Sequence, residues 1–247
     1  MIEIKSFMKN FLTAKWQQLI MANYIVPEHI LLPYLPKGLE LNLYNGKAYV
    51  SLVGFLFKDI KIARIPILGL GTFEEINLRF YVKRSIDKDS LQHGVVFINE
   101  TIPYKPVAWL ANRLFNEHYT VVKTKHTWHI NNNEKEIIYQ WKKEKTWNSI
   151  QIKSDIQSKK IEVGSFESFI FDNYIGFTKI SDQVSQSYYI EHPSWEVNDV
   201  HSFNILCDFK TMYGPEFSFL NDQNPDTVFI AEGSPIAVKW KRDLIKD

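Results

Sequence analysis

Phe73–Val82 reads FEEINLRFYV, and the reading of this stretch decides the fold. Ile76, Leu78, Phe80 and Val82 alternate with Glu75, Asn77, Arg79 and Tyr81. In a strand, successive side chains leave on opposite faces. One face is therefore wholly apolar, and the other presents a carboxylate, an amide, a guanidinium and a phenol. With the apolar face in a core, the second face meets either bulk water or a polar cavity. On a cavity wall, Arg79 would hold a ligand carboxylate bidentately. Glu75, kept dry, would have a raised pKa and serve as an acid or base. As a solvated face the same residues need no ligand, and strand spacing keeps positions 75 and 79 too far apart to touch. Periodicity alone leaves both readings open.

The neighbouring segments also read mostly as strands. Ala48–Phe57 (AYVSLVGFLF) is almost continuously apolar, which suits a strand covered on both faces, and the Asn45-Gly46 turn dipeptide precedes it. Val95–Thr101 (VVFINET) predicts another strand. From Pro106 to Asn116 the period changes. Val107, Leu110, Ala111, Leu114 and Phe115 fall at helical spacing, with Pro106 in the first turn. Tyr119–Ile130 and Glu136–Lys142 flank Asn131-Asn132-Asn133 and predict a hairpin. Further strands are expected at Trp147–Lys153, Gln186–Glu191 and Ile236–Trp240. Ser165 is placed to cap a short helix that buries Phe166, Phe169 and Ile170. The polar runs Ser154–Lys160 and Asn221–Asp226 read as surface loops, and Gly69-Leu70-Gly71 as a turn. Many strands in sequence order with few helices predict an α+β, mainly β fold, antiparallel and barrel-like. No repeat or linker divides the chain, so residues 1–247 are expected to form a single domain.

Composition narrows the function classes. The 247 residues hold 29 Lys plus Arg against 28 Asp plus Glu, a balance that argues against nucleic acid or an anionic membrane surface as partner. Aromatic residues make up 15%, which favours sheet. Cys207 is the single cysteine, so no internal disulfide or cysteine metal cluster can form; its apolar context, NILCDF, suits an inert thiol. The start, MIEIKSFMKNF, lacks an apolar signal core, and no window approaches the ~18 apolar residues of a membrane span. A cytoplasmic protein is expected, with no metal and no cofactor. His126 and His129 lie at i, i+3 in a strand, on opposite faces, which argues against a shared metal. There is no Gly-x-Ser-x-Gly elbow and no phosphate-cradling glycine loop.

Four blocks carry a family resemblance: Tyr24–Phe55 with its LPKGLEL core, the strand EEINLRFYV, His93–Thr101 (HGVVFINET) and Glu191–Trp195 (EHPSW). Together they resemble the YqjF-type proteins of the DUF2071 group, which is similar in fold to the acetoacetate decarboxylases. The resemblance covers nearly the whole chain. It implies a cone-shaped, mostly antiparallel β-barrel with flanking helices and an internal pocket, so it turns the polar face of Phe73–Val82 toward that pocket. It also leaves a homo-oligomer open.

Acetoacetate decarboxylases use a lysine that forms a Schiff base with the keto group, in a run just after a helix. The matching stretch here is Ala111–Val122, ANRLFNEHYTVV. His118 falls at the family's proline, and Tyr119 at or beside the lysine, so the nucleophile is missing from its expected place. Glu75 matches the family glutamate. The resemblance thus points to a small-molecule pocket for a carboxylate or keto acid. Glu75, Tyr119 and His118 are its candidate catalytic residues; Arg79, Asn77, Tyr81, Arg113 and His192 are candidates for holding the ligand. Either histidine could titrate near neutral pH. Two alternatives stand beside this one. In the first, Lys123 or Lys125, on one face with Tyr119 and Val121, replaces the Schiff-base lysine. In the second, the pocket is filled and the protein is a non-enzymatic scaffold or ligand sensor.

Overall fold

The structure is a computed structural model and describes residues 10–66, 71–87 and 90–245. Gly69 and Leu70 of the expected turn, and the first nine residues of the chain's start, lie outside the described residues. The strands are β1 (Asn10–Val26), β2 (Glu40–Leu41), β3 (Ala48–Ile62), β4 (Ile65–Pro66), β5 (Thr72–Asp87), β6 (Ser90–Ile102) and β7 (Tyr119–Val121). They continue with β8 (Lys123–Ile130), β9 (Glu134–Lys143), β10 (Thr146–Lys160), β11 (Ile175–Lys179), β12 (Ser185–Glu191), β13 (Glu196–Leu206) and β14 (Thr227–Ile245). The α-helices are α1 (Glu28–Leu31), α2 (Lys105–Phe115), α3 (Phe166–Phe171) and α4 (Phe209–Tyr213).

All strands join one sheet, and β1 pairs with both β3 and β14. This closes a ring in the order β1, β3, β5, β6, β11, β12, β14. From β14 the sheet continues through β13, β10, β9 and β8, and these strands fold back over the outside of the ring. Pairing is antiparallel except where β6 meets β7 and β11.

The wall of the ring therefore has a core on each side. Ile76, Leu78, Phe80 and Val82 of β5 point outward and join Ile137, Tyr139 and Trp141 of β9 and Ile150 and Ile152 of β10. Tyr81 belongs to the inner core with Met21, Val53, Phe55 and Phe97. The unbroken apolar run of β3 is explained in the same way: Val50, Leu52 and Leu56 face out, while Tyr49, Val53, Phe55 and Phe57 face in. Close packing of the two layers needs Gly54, because a Cβ there would lie 3.1 Å from the Tyr139 ring. The Tyr139 hydroxyl donates to the carbonyls of Gln17 and Gln18, at a register shift in β1.

The helical period of Val107–Phe115 gives α2, with a proline in its first turn, and Asn116 closes it in a left-handed conformation (φ 57°, ψ 34°). Ser165 caps α3 by accepting from the Ser168 amide at 3.2 Å, and Ile170 is buried while Phe166 and Phe169 are half-buried.

Two expectations are corrected. Ser154–Lys160 is not a loop but the second half of β10, where Ser158–Lys160 pair with β13. Gln157 to Lys160 are exposed, so no apolar face marked them as strand. Tyr119–Ile130 is not one strand: it breaks at Val122, β7 pairing with β6 and β8 with β9. Tyr119 and Lys123 therefore share no face. The long β1, β13 and α4 had no separate sequence reading. No helix among the described residues is long and apolar enough to cross a membrane.

Candidate functional site

The inner face of the ring encloses a cavity of about 120 Å³. Strand β5 sends Glu75, Asn77 and Arg79 into it, as the alternation required. Their neighbours β3 and β6 contribute Val53, Phe55 and Phe57 on one side, Phe97 and Glu100 on the other. Helix α2 covers one side with Val107, Leu110 and Ala111. The turn after α2 adds Glu117 and Tyr119, and β12 adds Tyr188 and Ile190.

The polar groups gather at one pole. Asn77 Nδ2 donates to Glu75 Oε1 at 3.1 Å, and the Tyr119 hydroxyl donates to Glu75 Oε2 at 3.3 Å. The Tyr188 hydroxyl donates to Glu117 Oε1 at 2.6 Å. Glu75 and Glu100 are each only 3% exposed. Glu100 Oε2, Asn77 Oδ1 and Arg79 Nε are buried without a hydrogen-bond partner. Buried polar atoms without a partner are costly, and each calls for an explanation such as a bound water, an ion or a catalytic role.

Burial dominates the electrostatics. It pushes the Glu75 carboxyl up to about 7, against weaker downward pulls from Asn77 and Tyr119. Burial lifts Glu117 to about 8; the Tyr188 bond opposes this and the Glu75 charge adds to it. Burial, followed by the charges of Glu117 and Glu75, holds Glu100 well above the carboxylate range. Burial also keeps the Tyr119 and Tyr188 phenols far above their ordinary value, so both remain hydrogen-bond donors. Near neutrality the pole is thus a set of mostly protonated acids and phenols. Arg79 supplies the cavity's cation. Its Nη2 donates to the Ile170 carbonyl at 2.9 Å and contacts Met21 Sδ at 3.5 Å, and the guanidinium lies 5.6 Å from the Tyr81 ring. Among the described residues it makes no ion pair with a carboxylate.

Of the eight site residues read from sequence, Glu75, Asn77, Arg79 and Tyr119 line the cavity. Tyr81 is buried just behind it, its hydroxyl 2.6 Å from Ser51 Oγ. His118 points to solvent; only its backbone carbonyl is engaged, accepting from Asn99 Nδ2 at 2.6 Å and from the Glu100 amide at 3.2 Å. Arg113 is exposed on the last turn of α2. His192 stacks between Tyr174 and Trp195 at 4.5 and 4.1 Å, outside the lining, where burial lowers its pKa. Lys123 and Lys125 are exposed, and Lys125 Nζ sits 4.6 Å from the Trp147 ring; no lysine is among the described residues of the cavity wall. Burial pushes the Cys207 thiol well up, away from thiolate chemistry. Among the described residues no group of three or more His, Cys, Asp or Glu is arranged to hold a metal.

Glu100, Glu117 and Tyr188 were not read as site residues. A register shift between β5 and β6 places Phe97 opposite Arg79 but Asn99 opposite Leu78, so Ile98 is an extra residue. Strict alternation from Phe97 puts Glu100 outside; the bulge turns it inward, opposite Asn77. Glu117 follows the left-handed Asn116, whose turn carries it into the ring. Tyr188 was legible, since Tyr188 and Ile190 share a face of β12.

Tyr188 also depends on a glycine. A Cβ on Gly176, its partner across β11 and β12, would lie 2.3 Å from the Tyr188 ring. Gly176→Ala is expected to destabilise the protein by about 2 kcal/mol through overpacking, read as a lower denaturant midpoint. An unchanged midpoint would show that Tyr188 has another place to go.

Comparison with known proteins fits this architecture. The family model of DUF2071, described as uncharacterized conserved proteins, matches residues 13–235. The uncharacterized protein YqjF of Bacillus subtilis is 35% identical over 68 residues; that stretch is 27% of this chain and spans 28% of the relative. Acetoacetate decarboxylase from Legionella pneumophila superposes with a TM-score of 0.62 over 97% of this chain and 90% of its own, at 11% identity. The enduracididine biosynthesis enzyme MppR, in complex with pyruvate, gives a TM-score of 0.66 over 99% and 94%, at 9% identity. The fold is thus acetoacetate-decarboxylase-like.

Proposed function

The chain belongs to the DUF2071 family, and from that premise and the chemistry of its cavity we propose that it binds a small carboxylate or oxo acid and exchanges a proton with it. One observation carries the reading: a buried guanidinium without a carboxylate partner shares a cavity with Glu100 and Glu117, held largely protonated, and with Glu75, poised to change charge near neutrality. A ligand carboxylate supplies the missing partner of Arg79, whose Nε is an unused donor. That MppR holds pyruvate in the same fold supports this class of ligand.

The rest of the pole then works by acid–base chemistry. Glu75, with a pKa of about 7, is poised to take a proton from the carbon beside a ligand carbonyl. The carbonyl oxygen, as it gains charge, is met by the phenol of Tyr119 and the protonated Glu100. The proton moves from carbon to Glu75 and the electron pair to the oxygen. Tyr119, at or beside the lysine position of the acetoacetate decarboxylases, provides a donor instead of an amine, so this chemistry needs no covalent intermediate.

Deuterium exchange tests it. In D2O the protein is expected to exchange the C3 protons of pyruvate, followed by proton NMR. Glu75→Gln should lose roughly 10²–10⁴-fold in exchange rate while still binding the acid. Binding without exchange in the unaltered protein would remove the catalytic half of the proposal and leave a carboxylate receptor.

A further inference from the structure

Far from the cavity, the outer layer of the sheet has a solvent face of its own. Trp128 of β8, Tyr139 and Trp141 of β9, and Ile150 and Ile152 of β10 face the core. Alternation therefore puts Lys123, Lys125, Gln140, Lys142, Trp147 and Ser149 on the opposite face. Register brings these side chains together. Lys142 sits between Lys123 on one side and Trp147 on the other. In the next row Lys125, Gln140, Ser149 and Leu206 of β13 follow one another across four strands. Lys125 Nζ lies 4.6 Å and Lys142 Nζ 5.9 Å from the centre of the Trp147 ring. Trp147 is 39% exposed and Leu206 59%. Among the described residues none of the three lysines forms an ion pair. Further along β10, Lys153 pairs with Glu136 at 3.7 Å and Lys159 with Asp199 at 2.6 Å. The β9–β10 turn adds Lys143 and Lys145 against a single acid, Glu144, and Asp208, just after β13, is taken up in capping α4. Like charges directly opposite one another on a sheet are destabilising, so the Lys123–Lys142 pair is a cost in the free protein that an anionic partner would relieve.

We propose that this face docks on a membrane surface of anionic phospholipid. The lysines meet the headgroups, and the exposed Trp147 and Leu206 enter the interfacial region, where an indole is favoured. Each lysine held near such a surface strengthens binding about fivefold. Two other partners use the face less completely. A single-stranded nucleic acid would engage the lysines and the indole, but it would leave Leu206 in water, and Lys125 already lies against the ring it would stack on. A second copy presenting the same face would set lysine against lysine. The near balance of charge over the whole chain is an average, and this corner of the outer layer departs from it. The proposal is independent of the carboxylate reading of the cavity.

The test is co-sedimentation of the unaltered protein with vesicles of phosphatidylcholine alone, or with about a third phosphatidylserine. Binding to the anionic vesicles only, lost at high salt, is expected. Lys123→Gln, Lys125→Gln and Lys142→Gln together should lower the partition coefficient about a hundredfold without lowering the melting temperature. Trp147→Ala should weaken binding as well. Lys15→Gln, Lys159→Gln and Lys179→Gln together remove the same charge from lysines that are paired elsewhere, and should leave binding largely unchanged. An equal loss in both triple variants would reduce the effect to net charge and overturn the proposal. Failure to bind the anionic vesicles overturns it too, and salt-sensitive capture of a thymidine oligonucleotide in their place would make the face a nucleic-acid site.

Discussion

Arg79→Met is expected to weaken binding of pyruvate by about a hundredfold without lowering the melting temperature. The two halves of that result have separate causes. A charge pair in a desolvated site is worth about 2–5 kcal/mol when one partner is removed, so the ligand carboxylate loses its main contact. The unliganded protein loses little. A buried guanidinium without an ion-pair partner carries a desolvation cost that an apolar side chain of similar length avoids. The Ile170 carbonyl that accepts from Arg79 also accepts from Asn173 Nδ2 at 3.2 Å, so it is not orphaned. Met21, the other contact, is a weak acceptor that packs as readily against a thioether. A calorimetric titration and a thermal melt on the same preparation check both halves. A large fall in melting temperature with unchanged affinity would make Arg79 a structural residue and support a filled, non-enzymatic scaffold.

How far the sequence carried this site follows from its local rules. Alternation in Phe73–Val82 correctly put Glu75, Asn77 and Arg79 on one face, because β5 runs without irregularity from Thr72 to Phe80 against β3. What alternation could not give was the fate of that face, since water and cavity select the same residue types. The ring settles it, through a β1–β14 pairing more than 200 residues apart in sequence. Glu100 escaped because a single bulge reverses parity, and Glu117 because a left-handed residue redirects the chain. Both are one-residue backbone events with no hydrophobic period to announce them. His118 and Arg113 show the converse. Both lie between cavity-lining residues, yet one step along the backbone turns a side chain from pocket to solvent. Tyr119, beside His118, points inward for the same reason.

The buried carboxyls impose a pH dependence opposite to that of a surface acid. Glu75, Glu100 and Glu117 all have folded pKa values above their unfolded ones. Between about pH 4.5 and 8 the folded chain therefore holds more protons than the unfolded chain, and stability falls as pH rises. Their contribution is complete below the unfolded pKa and lost through about 7 for Glu75 and about 8 for Glu117. For Glu75, a rise from 4.5 to about 7 corresponds to about 3 kcal/mol. Glu74 and Asp208 act in the other direction: hydrogen bonds from His126 and Thr124 help hold Glu74 down against its burial, and Thr211 lowers Asp208. Their stabilisation is lost only as pH falls through the lowered values. The melting temperature is thus expected to peak near pH 5 and to decline by pH 8.5. Glu75→Gln and Glu117→Gln together should flatten that decline, because the amides carry no proton to lose. Affinity for the acid should fall over the same range, as ionised glutamates repel its carboxylate. A melting temperature that is flat or rising from pH 5 to 8.5 would mean the carboxyls are ionised in the folded protein. An ionised triad with one guanidinium makes the cavity net negative, and its ligand would then have to be a cation.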